Sequence, residues 1–555
     1  MRAAWLILLP VFALLAQAAD LVLLNGRVWT GDEKRPWTQA VAIRGHRIIG
    51  TGDDARIRLL TGKTTRVVNL GGRFAIPGFN DAHIHFLGGS LRLSQVDLTG
   101  SKSLEEIQAR VAAFAKAHPC APWILGSGWE YYVFPDGRLP ARQDLDAVVK
   151  DRPVYLTAYD GHTAWANTAA LRIAGVTRES KFEGYGEIVA DPATGEPTGV
   201  LKEGAMALVS AKTPKPSREQ KLDALERGLS LAASLGITSI QDAGGGEEQL
   251  DLYEELARRG KLTLRVTMAF GAGRETTQKD IERFAALKKK HGGPLLRAGA
   301  VKIMLDGVIE THTAAMLGSY ADRPDTAGEP TMSQAELNKL VEMCDAARLQ
   351  VYIHAIGDRA VRMALDACEH ALKVNGPHDA RFRIEHIETA SSEDLPRFSR
   401  LGVLASMMPL HADPGTIKVW SRAAGPPRLP LAFAWRSLER AGARLVFSSD
   451  WPANISLDPI RGLHNAVNRR TTGGQPADGW IPEQRVSVET ALRGYTTSAA
   501  FASFEETEKG QIKPGMLADL VVLSQDPFGI DPIRLHEIRV RMTIFDGKVV
   551  YTLSP

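Results

Sequence analysis

The sequence predicts an α/β fold: a (β/α)8 TIM barrel with a large insertion after its first strand, plus a small β-sandwich domain formed by both termini. Three observations predict it. The middle of the chain alternates short apolar, strand-like runs with helical patterns. Eight such runs occur, the number that closes this barrel. Both ends are instead rich in short strands separated by glycine-containing turns.

Taken in order, Met1-Arg2 supplies a positive charge, Trp5 to Leu15 is apolar, and Ala16-Gln17-Ala18 is an A-x-A cleavage pattern. Residues 1–19 are therefore expected to be a signal peptide and the mature chain a periplasmic or secreted protein. The apolar run is too short for a membrane span, so no stable span is expected after cleavage. Residues 20–75 hold strands at 20–24, 27–30, 40–43 and 46–49. Residues 501–555 repeat the pattern at 518–523, 540–545 and 548–551, and the two segments are expected to share one sandwich. Residues 76–500 form the barrel. Its first strand ends in His83-Ile84-His85, and the others are expected at 237–242, 264–268, 300–305, 350–354, 381–386, 402–407 and 444–450. Helical patterns such as Glu219 to Leu235 and Ser333 to Ala347 lie between them. The first two strands are too far apart for one helix, so residues 87–215 are an insertion, with a helix at 103–117 and a strand at 153–156.

Composition narrows the function. With 44% hydrophobic and 24% charged residues the chain reads as globular, and 555 residues exceed one compact core. A net charge of +3 gives no argument for nucleic acid or a polybasic membrane patch, so the expected partner is a small-molecule substrate. A homo-oligomer is allowed. Cys120, Cys344 and Cys368 are odd in number and scattered, which argues against a disulfide framework.

The chemistry lies at the strand ends. His83 and His85 are two apart on a strand and share a face. Lys302 lies in the fourth strand, His354 ends the fifth, His386 the sixth and Asp450 the eighth. In a barrel these ends meet at one rim. Imidazoles with a carboxylate suit zinc and similar divalent ions. A buried lysine is a poor ligand while protonated, but as a carbamate formed with CO2 it becomes an anion able to bridge two metals. Each residue also has a plainer reading: a strand-end histidine in the core, Lys302 paired with Asp306, Asp450 capping a turn. Only the joint pattern favours a metal site.

The stretches that carry this pattern are Pro77 to His85, Gly161-His162-Thr163-Ala164-Trp165-Ala166-Asn167, Val301 to Glu310, His354 to Asp358, Ile384-Glu385-His386, Ser448 to Pro452 and Lys513 to Leu520. Together they resemble the amidohydrolase superfamily over nearly the whole mature chain, and within it the YtcJ-like branch that includes N-substituted formamide deformylases. The resemblance implies that His83, His85 and Asp450 hold one zinc, that His354 and His386 hold a second, and that Lys302 is the bridging N6-carboxylysine. His312 stands where many relatives are expected to carry arginine. The implied activity is hydrolysis of an amide-type C–N bond, with Asp450 taking a proton from a metal-activated water and delivering it to the leaving amine. A metal-dependent lactonase or esterase, or a non-catalytic binding protein on the same fold, are the alternatives. His162, Trp165, Asn167 and His312 are the tentative substrate contacts. Trp129, Tyr131 and Tyr132 could line an apolar pocket or pack a core. Glu203, Asp306, Glu310, His411 and His464 are weaker candidates.

Overall fold

A computed structural model describes residues 18–134 and 138–553. Residues 1–17 of the expected signal peptide lie outside the described residues. Eight parallel strands form one sheet whose spatial order follows the sequence. They are β1 (Phe79–Ile84), β2 (Ile237–Gly245), β3 (Arg265–Ala272), β4 (Leu296–Met304), β5 (Gln350–Ala355), β6 (Arg383–His386), β7 (Leu404–Met407) and β8 (Leu445–Phe447). Side chains of the strands and surrounding helices merge into one large apolar core. The helices start where local chemistry dictates. Ser217 accepts from Gln220 N–H ahead of Arg218–Ser234, and Ser333 accepts from Glu336 N–H ahead of Gln334–Ala346, each a reciprocal capping box. Both helices match the sequence pattern to within a residue or two.

The barrel closes between β8 and β1 by backbone contacts just beyond the β8 strand. Asp450 N–H donates to His83 C=O at 2.8 Å, and His85 N–H donates to Trp451 C=O at 2.8 Å.

Both ends of the chain build two further sheets. One contains strands at 47–52, 40–44, 21–24 and 66–69 in that order. The other runs from the C-terminal strands 548–552, 540–545 and 520–523 to the N-proximal 74–77, 27–29 and 37–38. Leu520 pairs with Pro77 and Leu523 with Phe74, so the last strands flank the segment that leads into the barrel. Leu21, Val41, Ile43, Ala75, Leu520 and Ile544 share one core between the sheets, which makes them a sandwich. Gly78 joins it to β1. A Cβ there would sit 2.1 Å from Thr238 Oγ1, so only glycine permits this approach.

The stretch after β1 folds into a six-stranded mixed sheet, ordered 186–190, 197–203, 163–166, 154–158, 124–129 and 96–97. It has its own apolar core around Trp129, Leu156 and Trp165. Cys344 and Cys368 are buried free thiols.

Arg265, at the start of β3, ties the sandwich to the barrel. Its guanidinium makes a two-pronged contact with Asp519, Nε to Oδ2 at 2.6 Å and Nη2 to Oδ1 at 3.0 Å, and reaches Asp546 Oδ1 at 2.8 Å. Arg265 and Asp519 are both buried. Arg265→Met strands the Asp519 charge and is expected to destabilise the protein by about 3–5 kcal/mol, read by urea unfolding. Arg265→Met with Asp519→Leu should recover most of that loss, and a single variant as stable as the parent would contradict the role.

Candidate metal centre

Each candidate ligand owes its place to a strand end. His83 lies in β1 and is fully buried, whereas His85 follows the strand and opens on a cavity at the start of the helix Phe86–Arg92. Lys302 lies in β4 and His354 in β5, His386 ends β6, and Asp450 follows β8 by three residues. The structure brings all six together. A nitrogen of His83, a nitrogen of His386 and a carboxylate oxygen of Asp450 lie within 4.8 Å of one another. Asp450 Oδ1 is 3.3 Å from His85 Nε2 and 3.5 Å from His83 Nε2. Lys302 Nζ is 3.0 Å from His83 Nε2, and the rings of His354 and His386 are 4.3 Å apart. His85, Lys302, His354, His386 and Asp450 line one cavity of about 350 Å³.

The backbone bends to achieve this. His386 and Asp450 have φ of +74° and +59°, left-handed conformations that cost energy for residues with a Cβ. Both are candidate ligands, so the strain falls where side chains must be aimed. Behind them runs a buried polar chain. Glu385 accepts from His83 Nδ1 at 2.7 Å, which turns His83 Nε2 toward the cavity. Arg383 Nε lies 2.9 Å from Glu385 Oε1, and the same guanidinium sits 3.8 Å over the Tyr352 ring. Asp306 accepts from the N–H groups of Ala315, Ile356 and Gly357 at 2.9–3.0 Å, fixing the loop after β5 rather than pairing with Lys302.

Burial, then the neighbouring Lys302 charge, draws His83 down to about 4. Burial also holds His354 and His386 well below the usual imidazole range. These rings are neutral, with lone pairs to give. Burial opposes ionisation of Asp450, but the neighbouring imidazoles of His85, His83 and His411 keep its carboxyl well below the usual range. Burial is likewise outweighed at Glu385, where Arg383 and then His83 bring the carboxyl down to about 2. Burial lowers Lys302 as well, which favours a neutral amine. Both ring nitrogens of His386 and Oδ1 of Asp450 are buried without a hydrogen-bond partner among the described residues. Neutral imidazoles and an ionised carboxylate converging with unused lone pairs fit a divalent cation.

The insertion forms the roof. His162 lines the cavity with its ring 5.6 Å from that of His354, and its Nδ1 is 2.8 Å from Glu203 Oε2. Burial would lower His162, but Glu203 and then Asp160 raise it to about 9. Three tentative contacts are not among the lining residues. Trp165 is buried against Trp129 and Phe134, with its indole N–H on Ala141 C=O at 2.9 Å. Asn167 caps the helix Thr168–Ala174 through Ala170 N–H and also accepts from Val154 N–H. His312 turns to Asp322 at 2.8 Å and packs on Tyr320. These three hold loops and the insertion in place. Trp129 packs the same core, while the Tyr131 hydroxyl donates to Asp160 at 2.8 Å.

A smaller lobe behind His386 is lined by Tyr159, Glu310, Glu388 and His411. His411 Nδ1 is 3.1 Å from Glu388 and its Nε2 is 3.6 Å from Asp450 Oδ2. Burial, then the charges of Glu388 and Asp160, pushes Glu310 up to about 8. His464 is elsewhere, held by Asn468 and the Thr471 carbonyl. Sequence reasoning gave no role to Glu385, Glu388, Asp160 or Arg92. Only the alternation of Arg383 and Glu385 along β6 could have marked Glu385 as facing the barrel interior.

An amidohydrolase family profile matches residues 66–551. Protein LONG AFTER FAR-RED 3 of Arabidopsis thaliana is 34% identical over 96% of this chain and 92% of its own. YtcJ of Bacillus subtilis (strain 168) is 31% identical over 96% and 99%, and the N-substituted formamide deformylase of Arthrobacter pascens 28% over 97% and 99%. The crystal structure of an uncharacterized metal-dependent hydrolase from Pyrococcus furiosus superposes with a TM-score of 0.70 at 28% identity, covering 91% of this chain and 99% of that one. With a strand-end polar cluster at the mouth of a closed barrel and these relatives along its length, the chain belongs to the amidohydrolase family and is a hydrolase.

Proposed function

We propose that this hydrolase cleaves an amide-type C–N bond of a small molecule, and that His83, His85, His354, His386 and Asp450, together with a carboxylated Lys302, would hold two zinc ions. The observation that carries the reading is that His85, Lys302, His354, His386 and Asp450 line one cavity with His83 buried directly behind Lys302 and Asp450, while the nitrogens of His386 and Oδ1 of Asp450 are left unpartnered among the described residues. The deformylase relative, named for N-substituted formamides, supports the C–N bond as the target. A metal held there would supply Lewis-acid polarisation of the scissile carbonyl and acidification of a water.

The residues of the chain do the rest. Asp450, kept ionised and with a free oxygen, accepts the proton of the water and returns it to the leaving nitrogen. His411, anchored by Glu388, borders Asp450, with Nε2 3.6 Å from its second oxygen. Glu385 fixes the tautomer and direction of His83. His162, held by Glu203 through Nδ1, faces the cavity from above, where its ring can donate to an oxygen of the substrate. Lys302 becomes an anion when its neutral Nζ forms a bond to the carbon of CO2 and loses a proton. The Met1–Ala18 pattern supports a location outside the cytoplasm for this chemistry. Among the described residues no helix is long and apolar enough to cross a membrane.

Zinc-loaded protein from the periplasmic or secreted fraction, assayed on parallel amide and lactone series, should prefer amides. A large preference for lactones, or recovery only from the cytoplasm, would contradict the respective part of the reading. In the same assay Asp450→Asn should keep the fold, judged by circular dichroism, and lose about 10²–10⁴-fold in turnover. Near-normal turnover would remove Asp450 from proton transfer. Lys302→Ala should lower metal content measured by elemental analysis, with partial recovery on adding formate or acetate, and an unchanged content would sink the carbamate.

A further inference from the structure

One cation in the cavity has no assigned task. Arg92 is the last residue of the helix Phe86–Arg92, which begins directly after His85, and its side chain lines the same cavity as His85, Lys302 and Asp450. Seven residues at about 1.5 Å each place its Cα about 10 Å along the helix from His85. That is the right scale for contacting a part of a small substrate distant from the bond being cut. The guanidinium is anchored by one hydrogen bond, Nη1 to Pro452 C=O at 3.0 Å. Its Nε and Nη2 have no hydrogen-bond acceptor among the described residues, and no carboxylate pairs with it. The cavity carboxylates are committed elsewhere. Asp160 accepts from the Tyr131 hydroxyl and His162 N–H, Glu203 holds His162, and Asp450 belongs to the ligand cluster. Burial draws Arg92 down to about 10, with only partial relief from Tyr155, Asp160 and Asp450. It remains charged at neutral pH.

A part-buried guanidinium pinned on one side, with its Nε/Nη2 edge free, is built to grip a planar anion through two parallel hydrogen bonds. Besides Arg92, the ligand cluster and the roof residues, the cavity is lined by small or apolar residues. A Cβ on Gly88 would meet nothing within 4 Å, and Met206 and Met304 supply apolar surface. We propose that Arg92 binds a carboxylate of the substrate, so that the preferred amides carry an acid group and an apolar body. The proposal rests on the amide-hydrolase reading for its reaction and on the Arg92 geometry for its ligand.

The test uses matched pairs: N-formyl- and N-acetylphenylalanine, both enantiomers, against the corresponding amides of 2-phenylethylamine, which lack only the carboxylate. Binding to the full-length protein is measured by calorimetry and turnover by kcat and KM on the zinc-loaded enzyme. The acid of a pair is expected to bind more tightly. Arg92→Gln is expected to shrink the preference for the acid by about 10- to 100-fold, chiefly through KM, and Arg92→Lys to restore part of it. A residue that only anchors the Pro452 loop would instead weaken acid and neutral member alike, and that result overturns the proposal. So does tighter binding of the neutral member, or binding of neither. Absence of turnover with the acid preference in binding intact and lost in Arg92→Gln overturns the amide-hydrolase reading while leaving Arg92 as the carboxylate contact.

Discussion

The seam between the last and first strands is the constraint on which the site depends. Asp450 N–H on His83 C=O and His85 N–H on Trp451 C=O close the barrel, and three of these four residues are candidate ligands while the fourth, Trp451, adjoins one. The Asp81 carboxylate adds a contact by accepting from Ser449 N–H at 3.0 Å. Ring closure and assembly of the cluster are therefore one event. Residues more than 360 positions apart acquire their 3.3–3.5 Å separations because backbone groups beside them must find partners on closure. The left-handed backbone at Asp450 is the local cost of turning a carboxylate inward at that seam.

A second layer makes the cluster tolerable before any cation arrives. Lys302, His83, Glu385 and Arg383 are all buried, and isolated charges there would be prohibitive. They stand in a chain instead, with Arg383 compensating Glu385, Glu385 orienting His83, and His83 Nε2 beside Lys302. Arg383 is held further by Ala82 C=O and Ser406 Oγ at 2.6 and 2.9 Å. Interior positions that would carry apolar side chains in a purely structural barrel thus hold a polar spine running from β7 to the ligands. The spine fixes orientation rather than adding stability, since buried ion pairs barely repay their desolvation.

Much of this was legible in the sequence, and what was not has identifiable causes. The eight strands could be read because each is a short apolar run, five of them ending in a polar residue and a sixth carrying Lys302 within it, and strand ends of a barrel share a rim whatever their spacing in the chain. That single rule located His83, His85, Lys302, His354, His386 and Asp450. It says nothing of loops. His162 and Trp165 lie three residues apart in one motif, yet the first faces the cavity and the second is sealed in the insertion's core, because Thr163–Ala166 is a strand paired on both edges. Asn167 looked like a polar contact and serves as a helix cap, a use that depends on where the next helix begins. Arg92 escaped, and His411 stayed only a weak candidate, for the converse reason: they sit beyond strand ends, and their direction is set by short helices whose orientation no periodicity encodes.

Chemistry and selection therefore reside in different parts of the chain. The barrel supplies every candidate ligand from its own strand ends. The residues facing them across the cavity, Asp160, His162 and Glu203, come from the insertion. This roof is keyed to the barrel at defined points. The Tyr185 hydroxyl donates to Thr313 C=O at 2.6 Å, Thr313 Oγ1 to Glu203 at 2.7 Å and the Tyr159 hydroxyl to Glu310 at 2.8 Å. All three bonds reach the single loop after β4, the strand that carries Lys302. A change in the insertion sheet can thus move His162 relative to His354 only by disturbing a loop rooted next to the ligand cluster. Substrate choice can vary through residues such as Met206 and Arg92 that line the mouth without entering those keyed contacts, while the ligand geometry stays fixed by barrel closure.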